Sequence, residues 1–200
     1  MDSVIERTKR IIEVLQTLVE QASEDGSALA QGKINEFNQR YESALCFYSS
    51  LSKNSNDYGE AQIRIAATLI KLGSFEQALE VASLAAEFCG YREFRSLTAG
   101  EPISAFTLLG DAQFRCGLMK QAEKSYSQAF EANKADTHSV AQMARIRMDA
   151  GDLENARKWA ELIVPGQRYD DFRSAIVGIG GSGSSLGYSI LARSGPSLPA

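Results

Sequence analysis

Hydrophobic residues recur along this chain at intervals of three, four and seven positions, the spacing of helices with one buried face. One such stripe predicts a helix over residues 3–23, and a second predicts a helix from Ile34 to Leu51. Stripes and short polar or glycine breaks alternate onward to about Leu162. No segment shows the strict two-residue alternation of a strand, so the predicted fold class is all-α.

A short pattern occurs three times. Gly73, Gly117 and Gly151 are each followed by any residue, an apolar residue, two polar residues and an alanine. The second and third glycines are 34 residues apart, whereas the first and second are 44 apart. The surplus of ten predicts a loop insertion near residues 88–101. A fixed period of this length is typical of stacked helix pairs.

The best-formed unit carries a family resemblance. It reads Phe106-Thr107-Leu108-Leu109-Gly110-Asp111-Ala112-Gln113, followed by Gly117, Ala122, Tyr126 and Ala129. With Phe for Trp, Tyr for Phe and Gln for Tyr, it matches the W-x2-L-G-x2-Y then A-x3-F pattern of the tetratricopeptide repeat (TPR), although the closing proline is missing. The chain resembles a TPR protein over residues 59–164, and weakly over residues 25–58. The resemblance implies a right-handed α-solenoid of stacked antiparallel helix pairs, a TPR-like superhelix.

Three regions follow from this register. Residues 1–58 are expected to form an N-terminal helix and a divergent first helix pair, and residues 59–168 three TPR-like pairs. Residues 169–200 have the Gly/Ser-rich composition of a flexible tail or linker, although short apolar islands within them could fold back onto the repeats.

Small residues explain the period physically. Gly110, or alanine at the equivalent positions 66 and 144, lets the two helices of a pair approach closely. Gly73, Gly117 and Gly151 come just after a first helix, where a left-handed residue ends the helix without a Cβ penalty.

The resemblance also implies a binding face lined by the first helix of each pair. Carrying the family's groove positions over by register gives a candidate partner-binding set: Ile63, Ala67, Ile70, Lys71, Thr107, Asp111, Phe114, Arg115, His138, Arg145 and Met148. Ile70, Phe114 and Met148 fall at equivalent positions and could form a nonpolar strip for an amphipathic peptide. The alternative is that these three side chains pack inside. Lys71 and Arg115 lack a supporting asparagine, so no clamp for a peptide carboxylate is predicted.

Charge and composition narrow the possible partners. The 200 residues carry 25 acidic and 21 basic side chains, a net charge of −4, which disfavours nucleic acid. The N-terminus lacks the basic and apolar segments of a signal peptide, and no apolar run approaches the length of a membrane helix. We therefore expect a soluble, cytoplasmic protein that does not contact membranes.

Nothing in the sequence assembles into a catalytic or metal site. Three cysteines without a CxxC pair, together with a single histidine, disfavour zinc and disulfides. His138 could act as a general base, but it more simply opens a helix. Residues 178–183 satisfy G-x-G-x-x-G, yet they lack a surrounding βαβ unit and a later acidic residue, so no dinucleotide or other cofactor is predicted.

These observations predict a non-enzymatic protein-binding scaffold, an adaptor or chaperone-like TPR module that holds a partner peptide in its concave groove. The alternative is a self-associating subunit of a larger assembly, such as a homodimer. That alternative places the dimer face either on the N-terminal helix pair or on the last helix, at Trp159, Leu162 and Ile163. It is suggested by the absence of an expected polar capping helix after Ile163.

Overall fold

The computed structural model describes residues 27–95, 102–166 and 168–178. The predicted helix of residues 3–23 lies outside these ranges, as do residues 179–200. The chain divides into two compact units, residues 1–108 (unit 1) and residues 109–200 (unit 2).

Unit 1 contains two helix pairs and a short hairpin. Its elements are α1 (Ala28–Phe37), α2 (Tyr41–Ser49), α3 (Tyr58–Lys71), α4 (Phe75–Cys89), β1 (Glu93–Arg95) and β2 (Pro102–Ser104). Helix α1 packs on α2, α2 on α3 and α3 on α4. Because short turns connect the two helices of each pair, they run antiparallel.

Helix α5 (Ala105–Arg115) begins in unit 1 and ends in unit 2. The remaining elements of unit 2 are α6 (Met119–Ala132), α7 (Thr137–Asp149), α8 (Leu153–Ala160) and α9 (Asp170–Gly178). Helix α6 packs on α7, α7 on α8 and α8 on α9.

The three repeat glycines end their helices as predicted. Gly73, Gly117 and Gly151 have φ of 78°, 77° and 77°. At each, the glycine N–H donates to the carbonyl three residues earlier, and the next N–H donates to the carbonyl five residues before it. This is the Schellman arrangement, which satisfies the last free carbonyls of the helix.

A fourth residue takes the same conformation without being glycine. Gln39 lies 34 residues before Gly73, has φ of 59° and makes the same pair of bonds, from Gln39 N–H to Glu36 O at 3.0 Å and from Arg40 N–H to Asn35 O at 2.8 Å. The prediction of one continuous helix from Ile34 to Leu51 is therefore wrong. The chain turns at residues 38–40, and no glycine marks the turn in the sequence.

Among the described residues, two short strands lie within the predicted insertion and directly after it. Strands β1 and β2 pair antiparallel with Phe94 opposite Ile103, while residues 96–101 between them lie outside the described ranges. Three residues are too few to show an alternating pattern, so the sequence did not predict these strands.

The region predicted as a tail starts with a helix. Phe172 and Ile176 of α9 are buried in one cluster with Val140, Ala144 and Ile163. Ile163 therefore does have a capping helix after it, and that expectation is wrong. Two apolar residues four positions apart formed too short a stripe to be recognised, and they become core only because α7 and α8 offer a surface to cover.

Candidate functional site: the first-helix faces of the two units

The predicted groove residues of unit 1 are mostly internal. Ile63 and Ile70 are buried, and Ala67 and Lys71 are half-buried. Thr107 is also buried, where its backbone N–H donates to Ser104 Oγ at 3.0 Å and the two hydroxyl oxygens lie 2.6 Å apart. Thr107 thus helps to start α5, and the buried isoleucines offer little surface to a partner.

An ion network that was not predicted from the sequence lies around Glu36 of α1. The Glu36 carboxylate accepts hydrogen bonds from Tyr48 Oη at 2.8 Å, Arg64 Nη1 at 3.2 Å and Lys71 Nζ at 3.5 Å. Glu60 of α3 accepts from Arg64 Nε at 2.8 Å and pairs with Lys33 Nζ at 2.8 Å.

Arg64 is the most buried charged side chain of this network. Its Nη2 also donates to the carbonyl of Arg95 in β1, at 3.2 Å. Burial opposes its charge, but the carboxylates of Glu36 and Glu60 outweigh burial and raise the pKa of Arg64. Burial likewise works against the charge of Glu60, yet Arg64 and Lys33 lower the pKa of that carboxyl. Arg64 and Glu60 are therefore both favoured in their charged forms.

Each unit contains a glycine pressed against a tyrosine ring. A Cβ on Gly32 would lie 2.3 Å from Tyr48 Cε1, and one on Gly110 would lie 2.6 Å from Tyr126 Cε1. Both pairs are 16 residues apart. That repeated Gly–Tyr spacing is the signal that could have extended the repeat register to the first helix pair.

The predicted residues Asp111 and His138 meet in unit 2. Asp111 Oδ1 accepts the Tyr126 hydroxyl at 2.7 Å and lies 2.8 Å from His138 Nε2. Because a carboxylate only accepts, Nε2 carries the hydrogen. The other ring nitrogen, Nδ1, lies 2.7 Å from the hydroxyl oxygen of Tyr169.

Charges around this chain of contacts shift two pKa values. Burial and the nearby Asp111 carboxylate raise the pKa of Tyr126 well above its ordinary value. Burial works to lower the pKa of His138, but the carboxylates of Asp111 and Asp136 outweigh it, so the net direction is upward. Asp136 also caps α7, accepting the N–H of Ser139 at 3.0 Å. His138 thus lies in the first helical turn, as predicted, with both ring nitrogens engaged.

Three other predicted groove residues of unit 2 keep part of their surface exposed. Phe114 is half-buried against a cluster that contains Tyr126 and Met143, and Met148 is half-buried against the α7–α9 cluster. The guanidinium of Arg145 lies over the Phe114 ring, 5.2 Å from its centroid. Its Nε is 3.8 Å from Asp149 Oδ2, beyond hydrogen-bond distance. Arg115, at the end of α5, is exposed.

The predicted dimer face of unit 2 is not a continuous surface. Ile163 is buried beneath α9, and Trp159 packs edge-on against Phe130 with ring centroids 5.5 Å apart. Of the three residues, Leu162 is the one that is exposed.

The described parts of the chain carry little other chemistry. Cys46, Cys89 and Cys116 are free thiols, and burial raises the pKa of Cys89. Within those parts, no group of three His, Cys, Asp or Glu side chains could hold a metal ion. No helix among the described residues has the length and hydrophobicity needed to cross a bilayer.

Comparison with known proteins agrees with the repeat geometry. Residues 103–136 match the tetratricopeptide repeat family. The chain contains a tetratricopeptide repeat. The TPR resemblance stated from the motif is thereby confirmed, and the matched residues include the Gly110–Tyr126 contact. No curated protein matches the chain by sequence.

Several solved structures are similar to this chain. MamA residues 41-end from Desulfovibrio magneticus RS-1 has 16% identity and a TM-score of 0.57, over 76% of this chain and 83% of that one. The type III secretion chaperone SycD of Yersinia enterocolitica, in complex with a peptide of the translocator YopD, has 18% identity and a TM-score of 0.52, over 71% and 98%. TTC0263, a thermophilic TPR protein of Thermus thermophilus, has 19% identity and a TM-score of 0.52, over 84% and 96%. These likenesses confirm the all-α, TPR-like class.

Proposed function

We propose that this TPR chain is a non-enzymatic protein-binding scaffold whose first helices hold a peptide segment of a partner. The observation that carries the proposal is in unit 2. There, an aromatic ring, a thioether and a guanidinium, those of Phe114, Met148 and Arg145, lie at predicted groove positions and are each only half-buried.

The chemistry of this face suits a particular kind of peptide. The ring of Phe114 and the side chain of Met148 offer apolar contact, and aromatic residues in such settings carry much of the binding energy of interfaces. The guanidinium of Arg145 lies on the ring of Phe114, and its Nε is 3.8 Å from Asp149 Oδ2, so its donors can bind an acidic side chain of a partner. We infer a segment with an apolar anchor next to an acidic residue.

Two further facts support the proposal. SycD, whose structure is similar to this chain, is a chaperone seen with a bound peptide. In unit 1, the groove positions include the buried isoleucines Ile63 and Ile70, and the cation Lys71 is already paired with Glu36. The apolar contact surface is therefore expected in unit 2.

The test selects peptide ligands and then removes the anchor. Peptides chosen from a random displayed library on the full chain are synthesised, and their Kd is measured by calorimetry for the wild type and for Phe114→Glu. We expect the variant to lose about 30-fold in affinity, as for a 2 kcal/mol hot spot. The introduced carboxylate faces Arg145, which favours a folded variant.

Met119→Glu is the matched control, because Met119 is an exposed apolar residue on the second helix α6. It should bind the peptides with the same Kd as the wild type. Arg145→Glu should bind acidic peptides more weakly than the wild type does. If Phe114→Glu binds the peptides normally while circular dichroism shows it folded, the first-helix face of unit 2 is not the binding site.

Self-association is the second candidate, and a different surface favours it. Phe88, in the last turn of α4, and Tyr91, just after that helix, are 59% and 58% exposed. Their rings pack against the rings of Tyr58 and Phe106, respectively, also in unit 1. Sedimentation velocity over a micromolar concentration range tests this: a dimer that dissociates in Phe88→Asp supports it, and a strict monomer excludes it.

A further inference from the structure

Helix α4 of unit 1 carries two large apolar side chains on its outer face. Leu84 and Phe88 are 40% and 59% exposed. The residues that α4 buries are all small, namely Ala78, Ala82, Ala85 and Cys89. Burial of a leucine or a phenylalanine removes more apolar area from water than burial of an alanine, so folding alone favours the reverse arrangement. The outer face of α4 is therefore an apolar surface that the described residues leave uncovered.

The ring of Phe88 is held in place on this surface. It packs edge-on against the ring of Tyr58, with centroids 5.4 Å apart and an angle of 71° between the planes. Tyr58 is itself buried at the start of α3. Because an exposed ring that is already fixed loses little side-chain freedom when a partner covers it, Phe88 is suited to act as an anchor for a partner.

A row of carboxylates runs beside the two apolar side chains. Glu76, Glu80 and Glu87 of α4 are exposed. At 3.6 residues per turn, these three residues lie within about 40° of one another around the helix axis. Leu84 and Phe88 form a second row about 80° further round, and the two rows together extend over about 18 Å. The outer face of α4 thus presents an acidic row and an apolar row side by side.

The carboxylates of this row lack basic partners within the described residues. The sequence of α4 contains no lysine or arginine. No ion pair joins Glu76, Glu80 or Glu87 to another described side chain. Glu76 and Glu80 are instead four positions apart, a spacing at which like charges on a helix repel each other. A cation supplied by a partner relieves this repulsion.

The second helices of unit 2 balance their charges differently. Helix α6 contains both lysine and glutamate side chains. In α8, Lys158 Nζ pairs with Glu154 Oε1 at 2.7 Å, and Arg157 Nε pairs with Glu161 Oε1 at 3.0 Å. The uncompensated acidic row is therefore a property of α4 and not a general feature of second helices in this chain.

We propose that the outer face of α4 binds a basic amphipathic helix of a partner protein. Apolar side chains of the partner cover Leu84 and Phe88, and its neighbouring lysines or arginines pair with the row of glutamates. In helix-on-helix docking, apolar residues at three- and four-residue intervals supply the contact, and the flanking charges select and orient the partner. This surface belongs to unit 1, and its partner carries the opposite charge to the peptide proposed for unit 2.

A second copy of this chain is the competing occupant, because Phe88 also belongs to the surface considered for self-association. Two α4 faces brought together place the carboxylates of Glu76, Glu80 and Glu87 opposite the same three carboxylates. Juxtaposed like charges across an interface oppose binding. The charge of α4 therefore favours a basic partner over a symmetric pair of α4 helices.

Two synthetic helical peptides test the proposal on the full chain. Both carry leucine at heptad positions a and d over about three heptads, and they carry either arginine or glutamate at positions e and g. The Kd of each peptide is measured by calorimetry at about 50 mM and about 500 mM salt. We expect the arginine peptide to bind with micromolar affinity and to weaken about tenfold at the higher salt, and the glutamate peptide not to bind.

Removing one apolar contact tests the apolar row. Leu84→Gln should weaken binding of the arginine peptide about tenfold, because it removes an anchor and leaves the net charge unchanged. Leu153→Gln is the matched control, since Leu153 is a leucine of similar exposure, 36%, on α8. It should bind the peptide with the same Kd as the wild type.

A triple variant tests the acidic row. Changing the three glutamates of the row to glutamine should weaken binding at low salt and abolish most of the salt dependence of Kd. The control variant combines Glu42→Gln, Glu131→Gln and Glu154→Gln, which remove the same net charge from exposed positions on three other helices. This control should keep the salt dependence of the wild type.

Two results would overturn the proposal while circular dichroism shows the variants folded. One is an equal loss of binding in both triple variants, which reflects net charge alone, and the other is a Kd that Leu84→Gln leaves unchanged. If Leu84→Gln does not fold, the comparison of the triple variants decides. A wild-type chain that binds neither peptide also overturns the proposal, and it assigns the face to a second copy if it sediments as a dimer that Phe88→Asp dissociates.

Discussion

Units 1 and 2 share one packing arrangement around a buried carboxylate, and they differ in the side chains that pair with this carboxylate. In both, a glycine of the first helix lets a tyrosine of the second helix lie across it, and the hydroxyl of that tyrosine donates to a buried carboxylate. In unit 1 the carboxylate is Glu36, and its cations are Arg64 and Lys71. In unit 2 it is Asp111, and its partner is His138.

The difference shows that the same contact between a glycine and a tyrosine can lie beside a fixed positive charge or beside a titratable one. An arginine does not lose its proton in a protein, whereas a histidine exchanges one near neutral pH. Unit 1 is therefore expected to be insensitive to pH between about 5 and 8, and unit 2 to respond within that range.

The largest expected effect comes from removing the buried arginine of unit 1. Arg64→Leu removes a buried guanidinium from Glu36, Glu60 and the Arg95 carbonyl. Removing one partner of a buried pair leaves the other charge uncompensated, so we expect a loss of about 3 kcal/mol in the free energy of unfolding of unit 1. The measurement is hydrogen exchange of α1–α4.

Arg157→Leu is the control for this variant, because Arg157 pairs with Glu161 at an exposed position. We expect it to cost less than about 1 kcal/mol. Equal losses in the two arginine variants would show that the buried network does not hold unit 1 together.

The next prediction breaks the packing that the two units share. Gly110→Ala places a Cβ 2.6 Å from the Tyr126 ring, and Gly32→Ala places one 2.3 Å from the Tyr48 ring. Overpacking of this kind costs about 1–3 kcal/mol. Urea denaturation followed by Trp159 fluorescence measures it for Gly110→Ala, and Gly178→Ala, whose Cβ meets no atom of the described residues within 4 Å, should be close to neutral. A stable Gly110→Ala protein would contradict the close contact.

The third prediction concerns the titration of His138 in unit 2 and its effect on the free energy of unfolding. Burial opposes but does not cancel the effect of Asp111 and Asp136, so the pKa of folded His138 lies above its ordinary value of 6.5. Its contribution to global stability is therefore fully present below about pH 6.5 and is lost as the pH rises through the folded pKa.

The measurement is the urea midpoint of the wild type and of His138→Gln, from about pH 6 to about pH 9. The wild type should lose stability relative to the variant as the pH rises, by less than the packing variants lose. A constant difference between the two proteins across this range would refute the titration of His138.

The smallest expected effect concerns the one helix end of the repeat register, among the described residues, that lacks glycine. Gln39→Gly relieves the left-handed conformation at φ of 59° and should stabilise unit 1 by about 0.5 kcal/mol, because part of the gain is offset by the flexibility of unfolded glycine. Gly117→Val, at φ of 77°, should cost about 1–2 kcal/mol. Thermal unfolding by circular dichroism compares them, and a destabilising Gln39→Gly would contradict the assigned conformation.

Local chemistry made much of the fold predictable. The helix ends at Gly73, Gly117 and Gly151 follow from the backbone freedom of glycine, and the close packing at Gly110 follows from its missing side chain. The turn at Gln39 could not be predicted, because a left-handed glutamine is set by the packing of α1 on α2 and not by a local preference. The helix α9 was missed for a similar reason, since Phe172 and Ile176 needed a surface to cover.

For the candidate site, the register identified His138, Asp111 and Phe114, but it could not say which groups they meet. The contact between His138 and Tyr169 joins residues 31 positions apart, and that between Arg64 and Glu36 joins residues 28 apart. The sequence by itself determined the repeat period and the glycine-marked helix ends, because these depend on residues that are close along the chain. Only the tertiary structure decided which carboxylate meets a fixed cation and which a titratable one, because charges pair through space.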